Sequence, residues 1–521
     1  MDFRPIAWAF GVVASVDFDG ATVAGRVASQ SRFVYRPPIA PSQSALGTTA
    51  STGSASSRIA LAATSVIASL AFAPVAYGYA VADGKYFTGS GAGVTDYAYY
   101  LSLVRQGADG RWLTTNLFTT DAQAPVFLHP SYVLIGHAAR LLHVSPVAAY
   151  HGARLAFIVA FVQIAWHSVR TLLAQPFVQK LALMLICFSS GLSWIGFDDA
   201  DYLRWPVDRW LGEATTFSTV TAAPHYALSL AIKTLAMTSY YRAIETRRLG
   251  AAGVTGLCCA WLAFDHPFDV VSTAAILAVF TAVAVATDWR LARRLAWSPT
   301  LVAPAVVAAI AAPAVFAVKW QVAHSAVLAA RTARELEPIA PIRSVLLGLG
   351  LTGLLAIVGA VARERPATSA DATAEFATPN ARLFVTVWAI VNVGVMFANP
   401  TLWYARRLIL GAHVAVAMLA AVGLTRLFDV ARTGMPARRA IAALTVFALA
   451  ITPLKQTLQL LDVYDEHRSG DHRLYLEQGE IAALRWIHAN VPASAAVQAL
   501  PWLAVDPTGV GGVSDATLPL F

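Results

Sequence analysis

Charge is scarce in this 521-residue chain: Asp, Glu, Lys and Arg make up 13% of it, while 57% is hydrophobic. An ordinary soluble domain carries about 25% charged residues, so the deficit excludes that class and points to a membrane protein. Cysteine is scarcer still. The three present, Cys187, Cys258 and Cys259, fall inside long apolar runs, which excludes a disulfide framework outside the membrane and leaves them as packing residues. No HxxxH or HExxH spacing marks a zinc site, and no nucleotide-binding motif is present. The formal charge of +8 has no basic soluble module behind it, so nucleic acid is excluded as a partner. No cleavable signal peptide is recognisable at residue 1, and the first long apolar run, beginning near residue 59, reads as a signal anchor.

What the chain has instead is apolar runs of about 20 residues, each long enough to cross a hydrocarbon core as a helix. The sequence predicts an all-α polytopic membrane protein with about eleven spans, whose cores lie at 59–80, 148–172, 178–196, 223–242, 250–265, 269–287, 298–319, 341–361, 383–398, 403–427 and 438–453. Arginines gather in alternate loops: Arg242, Arg247 and Arg248; Arg290, Arg293 and Arg294; Arg363 and Arg365; Arg426, Arg432, Arg438 and Arg439. The positive-inside rule makes those loops cytoplasmic, together with an N-terminal tail carrying Arg4, Arg26, Arg32, Arg36 and Arg58. The expected organisation is a disordered cytoplasmic tail over 1–58, rich in Pro, Ser, Thr, Gly and Ala, then a membrane domain over 59–453 and an extracytoplasmic segment over 454–521. "LEQGEIAALRWIHANVPASAAVQAL" in that last segment reads as an amphipathic helix, a Pro-containing turn and a short strand, a small α/β appendage that is incomplete or leans on the membrane domain.

The first external loop, about 81–147, is too long for a simple connector. Helical spacing from Asp96 to Arg105 puts Asp96, Tyr99, Tyr100 and Leu103 on or near one face of an interfacial helix, and Val126 to His143 reads as a second. Asp96 follows Thr95 at a helix start, so capping competes with catalysis. An acid beside aromatics that flank a sugar or a lipid headgroup is placed to act as general base on a hydroxyl.

The second external loop holds Asp198, Asp199 and Asp201, a DDAD cluster able to offer hard oxygen ligands to Mg²⁺ or Mn²⁺, or simply to be solvated. Glu213, His225 and His266 are also external, suited to gating or interface anchoring as well as to substrate. Arg406 and Arg407, in "NPTLWYARR", stand on the side that charge bias disfavours. They snorkel to lipid phosphates, or they clamp the phosphate of a lipid-linked substrate through bidentate hydrogen bonds. His151 and Arg154, in "YHGARL", are a lesser pair of the same kind.

These features together resemble the GT-C superfamily of integral-membrane glycosyltransferases, which includes protein O-mannosyltransferases and the aminoarabinose lipid A transferase. The resemblance rests on a first span followed by a long loop with an early acid ("GVTDYAYYLSLVRQGADGRWL"), an acidic second loop, about eleven spans, and "LRWIHANVPASAAVQALP" in the tail. It implies inverting transfer of a sugar from a polyprenyl-phosphate donor to a lipid, glycan or protein acceptor on the outer face of a bacterial plasma membrane. Asp96 would be the base, Tyr99 and Tyr100 would flank the sugar, and Arg105 or the Arg406–Arg407 pair would stabilise the leaving phosphate. Many relatives carry two acids in the first loop, whereas Asp96 is followed by Tyr97 and Ala98, and the WWDYG signature of oligosaccharyltransferases is absent. The alternatives are a transporter or flippase of lipid-linked glycans, which needs ionisable residues inside the spans and broken helices, and a polymerase or ligase of surface polysaccharide. Few ionisable residues stand out in the spans, and no internal repeat is visible.

Overall fold

A computed structural model of the chain describes residues 53–90, 94–195, 201–292, 299–334, 339–362, 374–398, 404–467 and 474–492, with 495 and 497. Its helices are α1 Gly53–Ala80, α2 Val94–Ala108, α3 Pro130–Leu142, α4 Pro146–Leu172, α5 Pro176–Phe188, α6 Val207–Trp210, α7 Thr216–Ala222, α8 Pro224–Thr246 and α9 Leu249–Asp265. They continue as α10 Pro267–Ala292, α11 Pro299–Ala323, α12 Ala326–Arg334, α13 Ile342–Val361, α14 Pro379–Ala398, α15 Ala412–Val430, α16 Met435–Leu449, α17 Ile451–His467 and α18 Gln478–Asn490. The protein is an all-α, multi-pass membrane protein. Each of the eleven expected cores lies at least in part on a helix, and eight lie on helices long and apolar enough to span. The other three are α5, with 13 residues, α9, with 17, and α8, which has 23 residues but a buried series of polar side chains.

The run expected to continue to residue 196 stops at Phe188. The reason lies in the next loop: the Asp208 carboxylate, fully buried, accepts hydrogen bonds from Ser190 Oγ (3.1 Å), Gly191 N (2.9 Å) and Ser193 N (3.4 Å). Those groups are turned out of a helical ladder to meet it. Burial pushes the Asp208 carboxyl above the usual carboxylate range, and the donated hydrogen bonds pull it part of the way back.

The chain divides into two compact units, residues 1–67 with 156–454, and residues 68–155 with 455–521. In the larger unit α15 is the central helix, with every residue from Ala412 to Thr425 buried. It meets α13 backbone to backbone, since a Cβ added at Gly423 would fall 2.0 Å from the Leu355 carbonyl oxygen and one at Gly359 would fall 2.0 Å from that of Leu419. Close approach of small residues maximises van der Waals contact where lipid gives helices no hydrophobic reason to associate. Helix α13 is broken at Gly350, whose φ of 46° and ψ of −136° interrupt the helix.

In the smaller unit α2 and α3 also cross at glycines, Gly107 and Gly136. Tyr97, Tyr100, Leu103 and Val104 form the buried face of α2, leaving Asp96 exposed and Tyr99 half-buried. The expected second helix over 126–143 begins instead at Pro130, which has no N–H to place in a preceding turn, after His129 in the left-handed region. Val126 forms an isolated bridge with Thr114. The loop and the C-terminal part share a two-stranded antiparallel sheet, with Tyr86 opposite Leu476 and Phe87 opposite Tyr475. Phe87, Tyr464 and Tyr475 form its core, and Tyr464 Oη donates to the Ser90 carbonyl at 2.7 Å. The expected helix of the C-terminal segment is α18, which opens on a reciprocal capping box between Glu477 and Glu480. The expected strand lies almost wholly outside the described residues.

Candidate polar site at one end of the larger unit

Four chain reversals of the larger unit bring polar side chains together. Glu213 lies between α6 and α7; His225 and Tyr226 lie in the first turn of α8, behind Pro224 at its first position. His266 ends α9, and Pro267 at once begins α10, so Asp269 falls in the first turn of α10. Arg406 and Arg407 lie on the 3₁₀ turn Ala405–Ile409, separated from α15 by Gly411. Gly411 is left-handed, with φ 84°, and a Cβ there would meet the Lys233 side chain at 3.3 Å.

Lys233 and Asp269 are both fully buried and pair at 3.2 Å. The remaining Lys233 protons go to Ser272 Oγ and to the Leu410 carbonyl, each at 2.6 Å. The second Asp269 oxygen faces His266 Nδ1 at 2.9 Å. A buried ion pair is tolerable only when its other hydrogen-bonding capacity is met in this way. The opposite imidazole nitrogen, His266 Nε2, is buried and has no hydrogen-bond partner.

Around that ring Tyr226 lies at 5.5 Å, Phe268 at 5.4 Å and His225 at 5.8 Å between centroids. Tyr226 Oη donates to Glu213 Oε1 at 3.3 Å and accepts from Arg407 Nη1 at 3.3 Å, and the Arg407–Glu213 ion pair spans 3.9 Å. The Arg407 guanidinium lies 5.7 Å from the Phe268 ring, and that of Arg406 lies 5.8 Å from the Trp210 ring. Five residues expected at a site, Glu213, His225, His266, Arg406 and Arg407, therefore gather at one end of this unit. Lys233, Tyr226 and Asp269 were given no role by sequence reasoning. A lone lysine in an apolar helix is the signal that marks the first, because such a charge needs a partner.

Of the other expected residues, Asp96, Tyr99, Tyr100, Arg105, His151 and Arg154 belong to the smaller unit. Asp96 is the third residue of α2, within its first turn and past the capping position that the sequence offered it. Tyr99 touches Tyr100, Phe118 and His129, and Tyr100 stacks on Tyr132 with centroids 4.5 Å apart. Arg105 is exposed and pairs with Asp109 at 3.2 Å. Of the lesser pair, His151 Nε2 faces the Gly89 carbonyl at 3.1 Å, and Arg154 donates to the Ala71 carbonyl, one turn before Pro74 in α1.

For the expected divalent cation, Asp198 and Asp199 lie outside the described residues. Asp201 caps a 3₁₀ turn by accepting from Leu203 N at 3.0 Å, with Arg204 at 3.7 Å. Among the described residues no group of three His, Cys, Asp or Glu side chains is gathered as a metal site would require.

No protein-family model matches the sequence, and no curated protein matches it. Among the solved structures that are similar to it are two of one protein. One is the crystal structure of ArnT from Cupriavidus metallidurans bound to undecaprenyl phosphate, at 13% identity and a TM-score of 0.41, covering 78% of this chain and 77% of that one. The other is ArnT from Cupriavidus metallidurans in the apo state, at 13% identity and a TM-score of 0.40, covering 78% of each chain. A likeness at this level assigns no residue and no ligand.

Proposed function

We propose that this protein is a glycosyltransferase of the bacterial inner membrane that moves a sugar, with inversion, from a polyprenyl-phosphate donor to an acceptor hydroxyl on the extracytoplasmic face. The observation that carries the reading is the cluster of Arg407, Glu213, Tyr226 and the Lys233–Asp269–His266 chain at helix ends that the arginine pattern assigns to the outside. Such a cluster suits an anionic headgroup at the membrane surface. In the reaction the acceptor oxygen bonds to the anomeric carbon as its proton passes to Asp96. The anomeric carbon–phosphate oxygen bond breaks, its electron pair stays with the phosphate, and the Arg406–Arg407 pair offsets the developing charge. Tyr99, Tyr100 and Arg105 keep their proposed roles beside sugar and phosphate. No step is routed through a metal.

Lysine keeps the charge of arginine but lacks its planar fork. Arg407→Lys is therefore expected to lower transfer efficiency by about ten- to a hundred-fold, on the order of 1.5–3 kcal/mol for one charge-assisted contact. Purified protein supplied with polyprenyl-phosphate sugars measures this, and a wild-type rate would leave the arginine as an interface anchor. Sidedness is tested by reporter fusions after Arg248 and after Tyr475, which should give opposite signals. Equal signals would remove the external placement of the cluster.

A second reading, transport of a lipid-linked glycan, draws on two features that the structure adds: the buried Lys233–Asp269 pair within helices and the break of α13 at Gly350. It predicts that proteoliposomes move a lipid-linked sugar across the bilayer without chemical change, whereas the enzyme releases free polyprenyl phosphate.

A further inference from the structure

The chain Lys233–Asp269–His266 is closed at one end and open at the other. Lys233 Nζ gives its three protons to Asp269, Ser272 and Leu410, and both Asp269 oxygens are engaged. A carboxylate that already accepts from an ammonium can only accept from the imidazole as well. The ring proton therefore lies on Nδ1, and Nε2 presents its lone pair. His266 is 2% exposed and Nε2 has no partner, an uncompensated polar atom held in one orientation against the Tyr226 and Phe268 rings. Leaving a buried acceptor unmet is costly, so a ligand that supplies the missing donor is favoured there.

We infer that His266 Nε2 is the contact for the free phosphate monoester of a polyprenyl carrier, with which it shares one proton. This rests on the carrier-lipid part of the function proposed above. A phosphate monoester has its second pKa at about 6, so near neutral pH it can carry one proton to offer to the Nε2 lone pair. With one proton between them, either N···H–O–P or N⁺–H···O⁻–P gives the same strong hydrogen bond, whichever group holds the proton. The sugar-loaded carrier is a phosphodiester, which has no such titratable oxygen and meets the lone pair of Nε2 with an anionic one. The site therefore distinguishes the spent carrier from the loaded donor. Nε2 is buried, so a ligand reaches it only as the surrounding side chains turn aside. Asp269 and Lys233 act as positioning residues, fixing which nitrogen faces the phosphate.

The test compares binding of undecaprenyl phosphate and of its methyl ester to full-length protein in nanodiscs. His266→Asn keeps an amide near the Nδ1 position for Asp269 and loses Nε2, while His266→Gln places an amide near Nε2. In His266→Asn, affinity for the monoester should fall about ten-fold or more, with about two-fold or less change for the methyl ester, and Gln should retain more monoester affinity than Asn. Unchanged monoester affinity in His266→Asn overturns the assignment, as does an equal fall for both ligands, which would mark general disorder. Failure of the wild-type protein to bind either ligand would instead overturn the carrier-lipid reading itself, and the His266 contact with it.

Discussion

Lys233→Met is expected to cost about 3–5 kcal/mol of stability, because it leaves the Asp269 carboxylate buried without its counter-charge. Both side chains are wholly inaccessible, so water cannot replace the lost ammonium without opening the contact between α8 and α10. The double variant Lys233→Met/Asp269→Leu should recover part of the loss, since removing both charges also removes the desolvation that each imposes. Recovery stays partial for a reason visible in the structure: Ser272 Oγ, the Leu410 carbonyl and His266 Nδ1 all lose a partner. Thermal unfolding of the purified protein in detergent measures both effects, and the cycle isolates their coupling. A single variant that melts with the wild type would show that the pair carries no stability. The double variant also separates folding from positioning. It should fold better than Lys233→Met yet keep weakened binding of undecaprenyl phosphate, because the imidazole is no longer held.

The apolar cores were legible in the sequence because crossing a membrane depends on a local sum over residues: each of the eleven lies at least in part on a helix, and eight lie on helices long and apolar enough to span. The end of α5 was not legible. Nothing around Ser189, Ser190 and Gly191 announces that a carboxylate 17 residues further on will claim Gly191 N. The cluster at the end of the larger unit was half legible: Glu213, His225, His266, Arg406 and Arg407 stood out as polar groups at helix ends. What joins them, Tyr226 bonding to both Glu213 and Arg407, depends on a fold that brings residues 213 and 407 together. Lys233 was overlooked because one charge does not stop a run from reading as a span. The face of α2 was read one step off, since Tyr97 carries the contact with Tyr150 while Asp96 beside it points away from the packed side.

That exposed position makes Asp96 the place where the proposed chemistry is most sharply tested. Asp96→Asn should reduce turnover by about a hundred- to ten-thousand-fold if the carboxylate is the general base, because the amide has the same shape and cannot take the proton at neutral pH. Its structural cost is small. Asp96 is in the first turn of α2, where a negative charge meets the positive end of the helix dipole, so losing that charge costs about 0.3–1 kcal/mol. Asp96→Ser, which is also uncharged but shorter, should behave alike. Both effects are read on one preparation, with thermal unfolding reporting the helix and acceptor-dependent release of polyprenyl phosphate reporting the chemistry. A base acting in the transition state lowers the turnover number while leaving the donor KM nearly unchanged. A fall confined to KM would move Asp96 from proton acceptor to binding group. Near-normal turnover in either variant would reduce it to a first-turn acid of α2, and the acceptor's proton would need another destination.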